Sequence, residues 1–204
     1  MSLSLPSLLR PYIDLDFTRF GVDSRVTFTR STTRTYCSGL RTLAIAAIDE
    51  WPLEYDFDTG ALLGRGVFVL SSNQCLRSDD LTNAVWVKTN GTAAKDQTDL
   101  FGTANGASSF TATGANATVL QTITSTSTLR LYSVYLKRLS GTGAVLITMD
   151  GGTTWTAVTL TSNYKRFLVT QTLANPTIGV KLATSGDSVA IAGNQLEGDP
   201  GGGF

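Results

Sequence analysis

Leu129-Arg130-Leu131-Tyr132-Ser133-Val134-Tyr135-Leu136-Lys137 places Tyr132, Val134 and Leu136 on one face by a period of two. A strand has that period and a helix does not. Comparable short runs follow over 144–149, 155–160, 166–173, 178–183 and 188–196, with turn-forming residues between them. Short strands at regular spacing predict an all-β protein, an antiparallel β-sandwich of jelly-roll type. No repeat of 20–50 residues is visible, which disfavours a propeller or solenoid.

Upstream of that run, residues 87–128 carry Asn90-Gly91, Asn105-Gly106 and Gly114 among long polar stretches. They read as loops and edge strands, with Phe101, Phe110, Val119, Leu120 and Ile123 supplying core residues. The apolar run 66–70 suits a central strand. Asp58-Thr59-Gly60, flanked by Tyr55, Phe57, Leu62 and Leu63, predicts a hairpin. Residues 40–48 fit a strand or two helical turns, and periodicity does not arbitrate at that length. Over 25–36, Val26, Phe28 and Arg30 alternate with Thr27 and Thr29.

Residues 1–22 read as an extended segment. Pro6 and Pro11 remove backbone donors, and Ile13, Leu15 and Phe17 alternate with Asp14, Asp16 and Thr18. The segment is either an ordinary first strand or an arm that adds to a neighbouring subunit's sheet edge. It lacks the basic start of a signal peptide and carries Pro6 inside its apolar part. Leu3, Leu5, Leu8, Leu9 and Ile13 are the candidate assembly residues, because a soluble monomer does not expose such a set. They imply a homo-oligomer, with a trimer as the expectation. The predicted organisation is an N-terminal arm over 1–22, a sandwich over 23–197 and a Gly-rich tail over 198–204.

Composition supports the β reading. Charged residues make up 16% of the chain, below the usual level of about 25%, and threonine, serine and glycine take up the difference. Threonine's branched Cβ favours strands over helices. The formal net charge is zero and no long basic block occurs, so nucleic acid is a poor partner. No apolar run reaches the roughly 20 residues that a membrane-crossing helix needs. Cys37 and Cys75 read as separate reduced thiols rather than a bridge.

One stretch carries a resemblance: Asn73-Gln74-Cys75-Leu76-Arg77-Ser78-Asp79-Asp80-Leu81-Thr82-Asn83-Ala84-Val85-Trp86. It is similar to a segment of bacteriophage tail-fibre and minor virion proteins with a lectin-like β-sandwich, in which a polar turn drops a Trp into the next sheet. Four other blocks resemble the same family in the same order. They are residues 23–36, residues 51–60, Leu131-Tyr132-Ser133-Val134-Tyr135-Leu136-Lys137 and Ile191-Ala192-Gly193-Asn194-Gln195-Leu196-Glu197. The resemblance implies a virion structural protein assembled in the host cytoplasm, either a tail-associated fibre or adaptor module or a head decoration protein. Its partners would be other virion proteins, and a carbohydrate-binding module recognising host glycans is the alternative. Members of that family continue past the last block, whereas this sequence runs on only through its glycine-rich end.

Candidate chemistry is sparse. Thr148-Met149-Asp150-Gly151-Gly152-Thr153-Thr154-Trp155 resembles the Asp box of sialidases. Its physics is a tight hairpin in which Asp150 accepts turn amides, Gly151 and Gly152 permit positive φ, and Trp155 packs beneath. A glycosidase needs two facing carboxylates. The only glutamates are Glu50, Glu54 and Glu197, and most aspartates fall in turn contexts. Asp79-Asp80 reads as a helix-start or turn cap. The chain has no His, so the commonest general base is missing. No enzymatic activity and no cofactor are expected. A glycan site would draw on Trp51, Trp86, Trp155, Tyr132, Tyr135 or Tyr164, each of which the strand pattern assigns first to packing. A calcium ion would draw on Asp56, Asp58 and Asp79.

Overall fold

The computed structural model describes residues 26–31, 33–65 and 72–198. The chain divides into two compact units between Gly66 and Val67. The span 23–197, read from sequence as one sandwich, crosses this division. The arm over 1–22, with Leu3, Leu5, Leu8, Leu9 and Ile13, lies outside the described residues, as do the apolar run 66–70 and residues 199–204.

The first unit holds two hairpins. Strands β1 (Arg34–Gly39) and β2 (Thr42–Ala46) pair antiparallel, and β3 (Glu54–Tyr55) pairs with β4 (Leu62–Gly64). Within residues 40–48, ambiguous in sequence, Thr42–Ala46 form a strand. The β3–β4 turn is the one expected at Asp58-Thr59-Gly60. Asp56 Oδ1 accepts the amides of Asp58 (3.1 Å) and Thr59 (2.7 Å), and Gly60 takes φ of 71°.

The second unit is the sandwich, two five-stranded antiparallel sheets. Its strands are β5 (Val87–Thr89), β6 (Gly91–Gln97), β7 (Ala107–Ala112), β8 (Ala117–Thr122), β9 (Thr128–Ser140), β10 (Val145–Thr148), β11 (Thr156–Val158), β12 (Lys165–Leu173), β13 (Thr177–Leu182) and β14 (Ser188–Gly198). One sheet runs β11-β10-β13-β8-β5 and the other β12-β9-β14-β7-β6. The chain crosses repeatedly between the sheets, as a jelly roll does. β14 runs through Gly198.

The alternation read from β9 holds. Tyr132, Val134 and Leu136 are buried between the sheets with Phe110, Val119, Ile147, Ile178, Val180, Val189 and Ile191. The region 87–128 departs from the sequence reading. Only β5 and β6 are edge strands; β7 and β8 lie inside their sheets. Their small residues disguise this. Ala107, Ser108, Ser109 and Phe110 are consecutively buried, so no alternation shows. Phe101, expected in the core, is half exposed at 50%.

Candidate functional site

The stretch 73–86 forms an interlock with the end of β14. Asn73 Oδ1 accepts the amides of Cys75 and Leu196, both at 2.9 Å, while its Nδ2 donates to Ser78 Oγ and to the Asn194 carbonyl. Asn194 Nδ2 donates to the Ser78 carbonyl at 2.7 Å, and the Gln74 amide to the Leu196 carbonyl at 2.8 Å. The ladder between β14 and β9 slips between Ala192 and Gln195, and Gly193 takes φ of 57°. That bulge turns backbone groups of residues 193–194 toward the interlock. Buried Gln121 on β8 completes it by pairing like a peptide with Leu76, accepting the amide and donating to the carbonyl at 2.8 Å each. Trp86 lies in the core, its indole N–H donating to the Arg77 carbonyl at 3.1 Å. Two of the blocks singled out in the sequence thus meet as halves of one structural device, across separations of 116 to 123 residues.

The adjacent carboxylates divide their work. Asp80 caps a turn, accepting from the Thr82 amide and hydroxyl. Asp79 is not a local cap. Its Oδ1 accepts the Gly193 amide at 2.6 Å. Burial pushes the Asp79 carboxyl up, the Gly193 N–H works against that, Asp99 adds to the rise and Lys95 reduces it. A raised folded value means that the ionised form opposes folding at neutral pH, and that the penalty fades as pH falls through that value. Asp79→Asn keeps an oxygen for Gly193 and removes the charge. It is expected to raise the urea midpoint at pH 7, with the advantage shrinking toward pH 4. Asp79→Ala should be less stable than Asp79→Asn by about 1 kcal/mol at either pH, because the Gly193 amide is orphaned. An Asn variant less stable than the native chain at pH 7 would contradict the burial argument.

Asp150 sits in the β10–β11 hairpin. Its Oδ1 accepts the Thr154 amide and the Thr148 hydroxyl, each at 2.9 Å, and Oδ2 accepts from Gln171 of the other sheet at 3.4 Å. Partial burial pushes its carboxyl up, but these hydrogen bonds outweigh it and bring the value down to about 2. The stability Asp150 contributes is complete above its unfolded value and is lost as pH falls toward 2. Gly152, at φ of 96°, leaves room for Trp155, since a Cβ there would lie 2.7 Å from the indole. Lys181 lies over the Trp155 ring at 4.5 Å. Thr148 and Asp150 thus spend most of their hydrogen bonds on holding the turn.

The other aromatic candidates are mostly committed. Tyr132 is buried and donates to Asn194 Oδ1 at 2.8 Å. On the outer face of its sheet, Tyr135 lies under Arg166 and Tyr164 under Lys137. Tyr164 also donates to the Thr98 carbonyl at 3.0 Å, joining the connections beside the two edge strands. Burial, with Asp79, Asp99 and Asp96 nearby, pushes its hydroxyl up to about 12. Among the described residues no group of three or more acidic or thiol side chains gathers as for a metal ion. Of the calcium candidates, Asp56 and Asp58 share a turn of the first unit, and Asp79 holds Gly193 in the second. Cys37 and Cys75 are both free thiols, and burial pushes Cys75 up to about 12.

Among the described residues, a concave site in the first unit combines rings with polar groups. A groove of about 370 Å³ is lined by Tyr36, Ser38, Glu50, Trp51, Pro52, Leu53, Tyr55 and Arg65. Tyr36 and Ser38 come from β1 and Tyr55 from β3. The loop carrying Glu50 and Trp51 is held on several sides. Glu50 Oε2 accepts the Ala47 amide at 2.7 Å, Arg30 donates to the Ala47 carbonyl at 2.6 Å, and the Arg30 amide donates to Asp49 Oδ1 at 2.7 Å. Phe28 stacks on Trp51 with ring centroids 4.8 Å apart and planes 14° from parallel. Arg34 and Glu54 form an ion pair beside the groove. Of the lining residues only Trp51 was a candidate from sequence. Tyr36 and Tyr55 were read as strand and hairpin residues, because they lie 19 positions apart and only the β1–β3 approach brings them together.

No family model and no curated protein matches the sequence. Solved structures give partial likenesses. The chain is similar to the enzymatically active domain of tailspike protein 4 of bacteriophage CBA120, at 15% identity and a TM-score of 0.42, over 61% of this chain and 21% of that one. It therefore spans about a fifth of the tailspike chain. It is similar to the CBM22-1 xylan-binding domain from Paenibacillus barcinonensis Xyn10C, at 11% identity and a TM-score of 0.43, over 65% and 94% of the two chains. It is also similar to a carbohydrate-binding module from Cellvibrio mixtus lichenase 5A in complex with cellotriose, at 13% identity and a TM-score of 0.38, over 64% and 98%.

Proposed function

We propose that the chain is a non-catalytic glycan-recognition protein carried on a bacteriophage particle, and that the groove of the first unit is its sugar site. The groove is the observation that carries this reading. Sugar rings present C–H faces that pack on aromatic planes, and hydroxyls that need directional partners. Tyr36, Trp51 and Tyr55 supply the planes, while Glu50, Ser38 and Arg65 supply donors and acceptors of both kinds. The stacking of Phe28 on Trp51 and the bonds to Ala47 fix the site before a ligand arrives, which lowers the entropic cost of binding. The phage setting rests on the resemblance of the five sequence blocks.

A glycan array followed by titration calorimetry tests the reading. Trp51→Ala and Tyr55→Ala should each weaken binding by about 1–2 kcal/mol, roughly tenfold. Tyr135→Ala and Trp155→Ala, in the sandwich, should leave affinity unchanged. Absence of any glycan ligand, or full affinity in both groove variants, would remove the proposal.

A second reading, a virion assembly protein acting through protein contacts as a tail adaptor or head decoration, is favoured by the interlock. The resembling blocks at 73–86 and 191–197 hold the sandwich together, and so speak for a shared scaffold rather than a shared ligand.

A further inference from the structure

Among the described residues the sandwich has four edge strands, and three are blunted in ways that prevent another strand from adding. β5 and β11 are three residues long each. β6 is interrupted by a register shift between Ala94 and Gln97, where Lys95 and Asp96 sit. β12 has none of these protections. It runs nine residues, Lys165–Leu173, pairs with β9 without a shift, and contains no proline. Among the described residues its main chain bonds to no strand but β9. Of its two charges, Arg166 is directed back over β9. Arg166 donates to Ser133 Oγ on β9 at 3.0 Å and lies over Tyr135, and Lys165 lies 6.0 Å from the Phe167 ring centroid. Leu168, on the outer face, is 51% exposed.

We infer that β12 pairs antiparallel with β12 of a second copy, joining two five-stranded sheets into one across a twofold axis. A twofold contact must be self-complementary, and this strand meets that condition. Pairing centred on Val169 sets Leu168 against the partner's Thr170, Phe167 against Gln171, Arg166 against Thr172 and Lys165 against Leu173. No like charges oppose each other, and each side chain stays on its own face of the extended sheet. The alternating N–H and C=O groups that face away from β9 supply the hydrogen bonds. The inference is independent of the sugar site, which lies in the other unit. It also differs from assembly through residues 1–22, which lie outside the described residues.

The test uses charge at the facing positions. Leu168 and Thr170 are exposed, so substitution there leaves the core untouched. The full chain should sediment as a dimer. A Leu168→Lys/Thr170→Lys variant and a Leu168→Glu/Thr170→Glu variant should each sediment as monomers with unchanged melting curves, because like charges then face each other across the axis. Mixed in equal amounts, they should form a heterodimer of twice the monomer mass. A monomeric native chain, a variant that stays dimeric, or a mixture that stays monomeric each overturns the inference. The last result would be expected if an arm, and not a second β12, occupied the edge.

Discussion

Trp86→Ala is expected to destabilise the sandwich by about 3–5 kcal/mol, the usual cost of removing a fully buried large aromatic ring. Trp86 is 1% exposed and sits in the cluster with Leu81, Phe110 and Tyr132. The indole also holds the Arg77 carbonyl, so its loss frees the turn that starts the interlock. Single domains are stable by about 5–15 kcal/mol, so the variant would be near the limit of folding at 37 °C. Trp86→Phe keeps much of the volume and loses the indole donor, and should cost about 1–2 kcal/mol. Urea denaturation followed by circular dichroism measures both. A cost below about 1 kcal/mol for alanine would mean that the ring is not a core element.

The second large effect is expected at Arg138. Its guanidinium lies 3.4 Å from Asp187 Oδ2, and its other nitrogen donates to the Gly143 carbonyl at 2.8 Å. Side-chain exposures of 19% for Arg138 and 4% for Asp187 place the pair largely out of water. The surrounding chain is built to admit it. A Cβ at Gly141 or Gly143 would fall on the Asp187 carboxylate, at 1.7 and 2.4 Å. Arg138→Met leaves Asp187 as a buried charge without its partner, and should cost about 3 kcal/mol. The double replacement Arg138→Met with Asp187→Leu should recover most of that loss, since an apolar pair removes the desolvation penalty along with the attraction. Thermal melts of the two variants decide the matter. A double variant as unstable as the single one would show that Asp187 acts through packing and not through charge.

Strand identity across the C-terminal half was legible because the face turned to the core between the sheets takes apolar side chains at every second position. Tyr132, Val134 and Leu136 alternate for that reason, and the six runs read from 129–196 all correspond to strands. Legibility failed where both faces are covered. Ser108, Ser109, Ala190 and Ala192 are all buried, so the pattern that marks a strand's orientation is missing there. The positions of β7 and β8 inside their sheets follow from pairings with β14 and β13, which local sequence does not encode.

The turn chemistry was also written locally. Asp150, Gly151, Gly152 and Asp56 act on neighbours within a few residues, where a side chain's reach is set by its own bonds. Asp79 was misread for the complementary reason. Its partner, Gly193, is 114 residues away, and the bulge that presents Gly193 exists only once β14 is paired with β9.

The candidate sugar site divides in the same way. Trp51 stood out by residue type alone. Its grouping with Tyr36, Tyr55 and Arg65 depends on how two hairpins approach each other, because a groove is a property of side chains from several elements and not of any one segment. The sequence by itself determined the β class and the turn positions, since period and backbone geometry are local quantities. Only the tertiary structure decided the division into two units, the interlock from Asn73 to Leu196 and, among the described residues, the open edge of β12, because each depends on which distant strands pair.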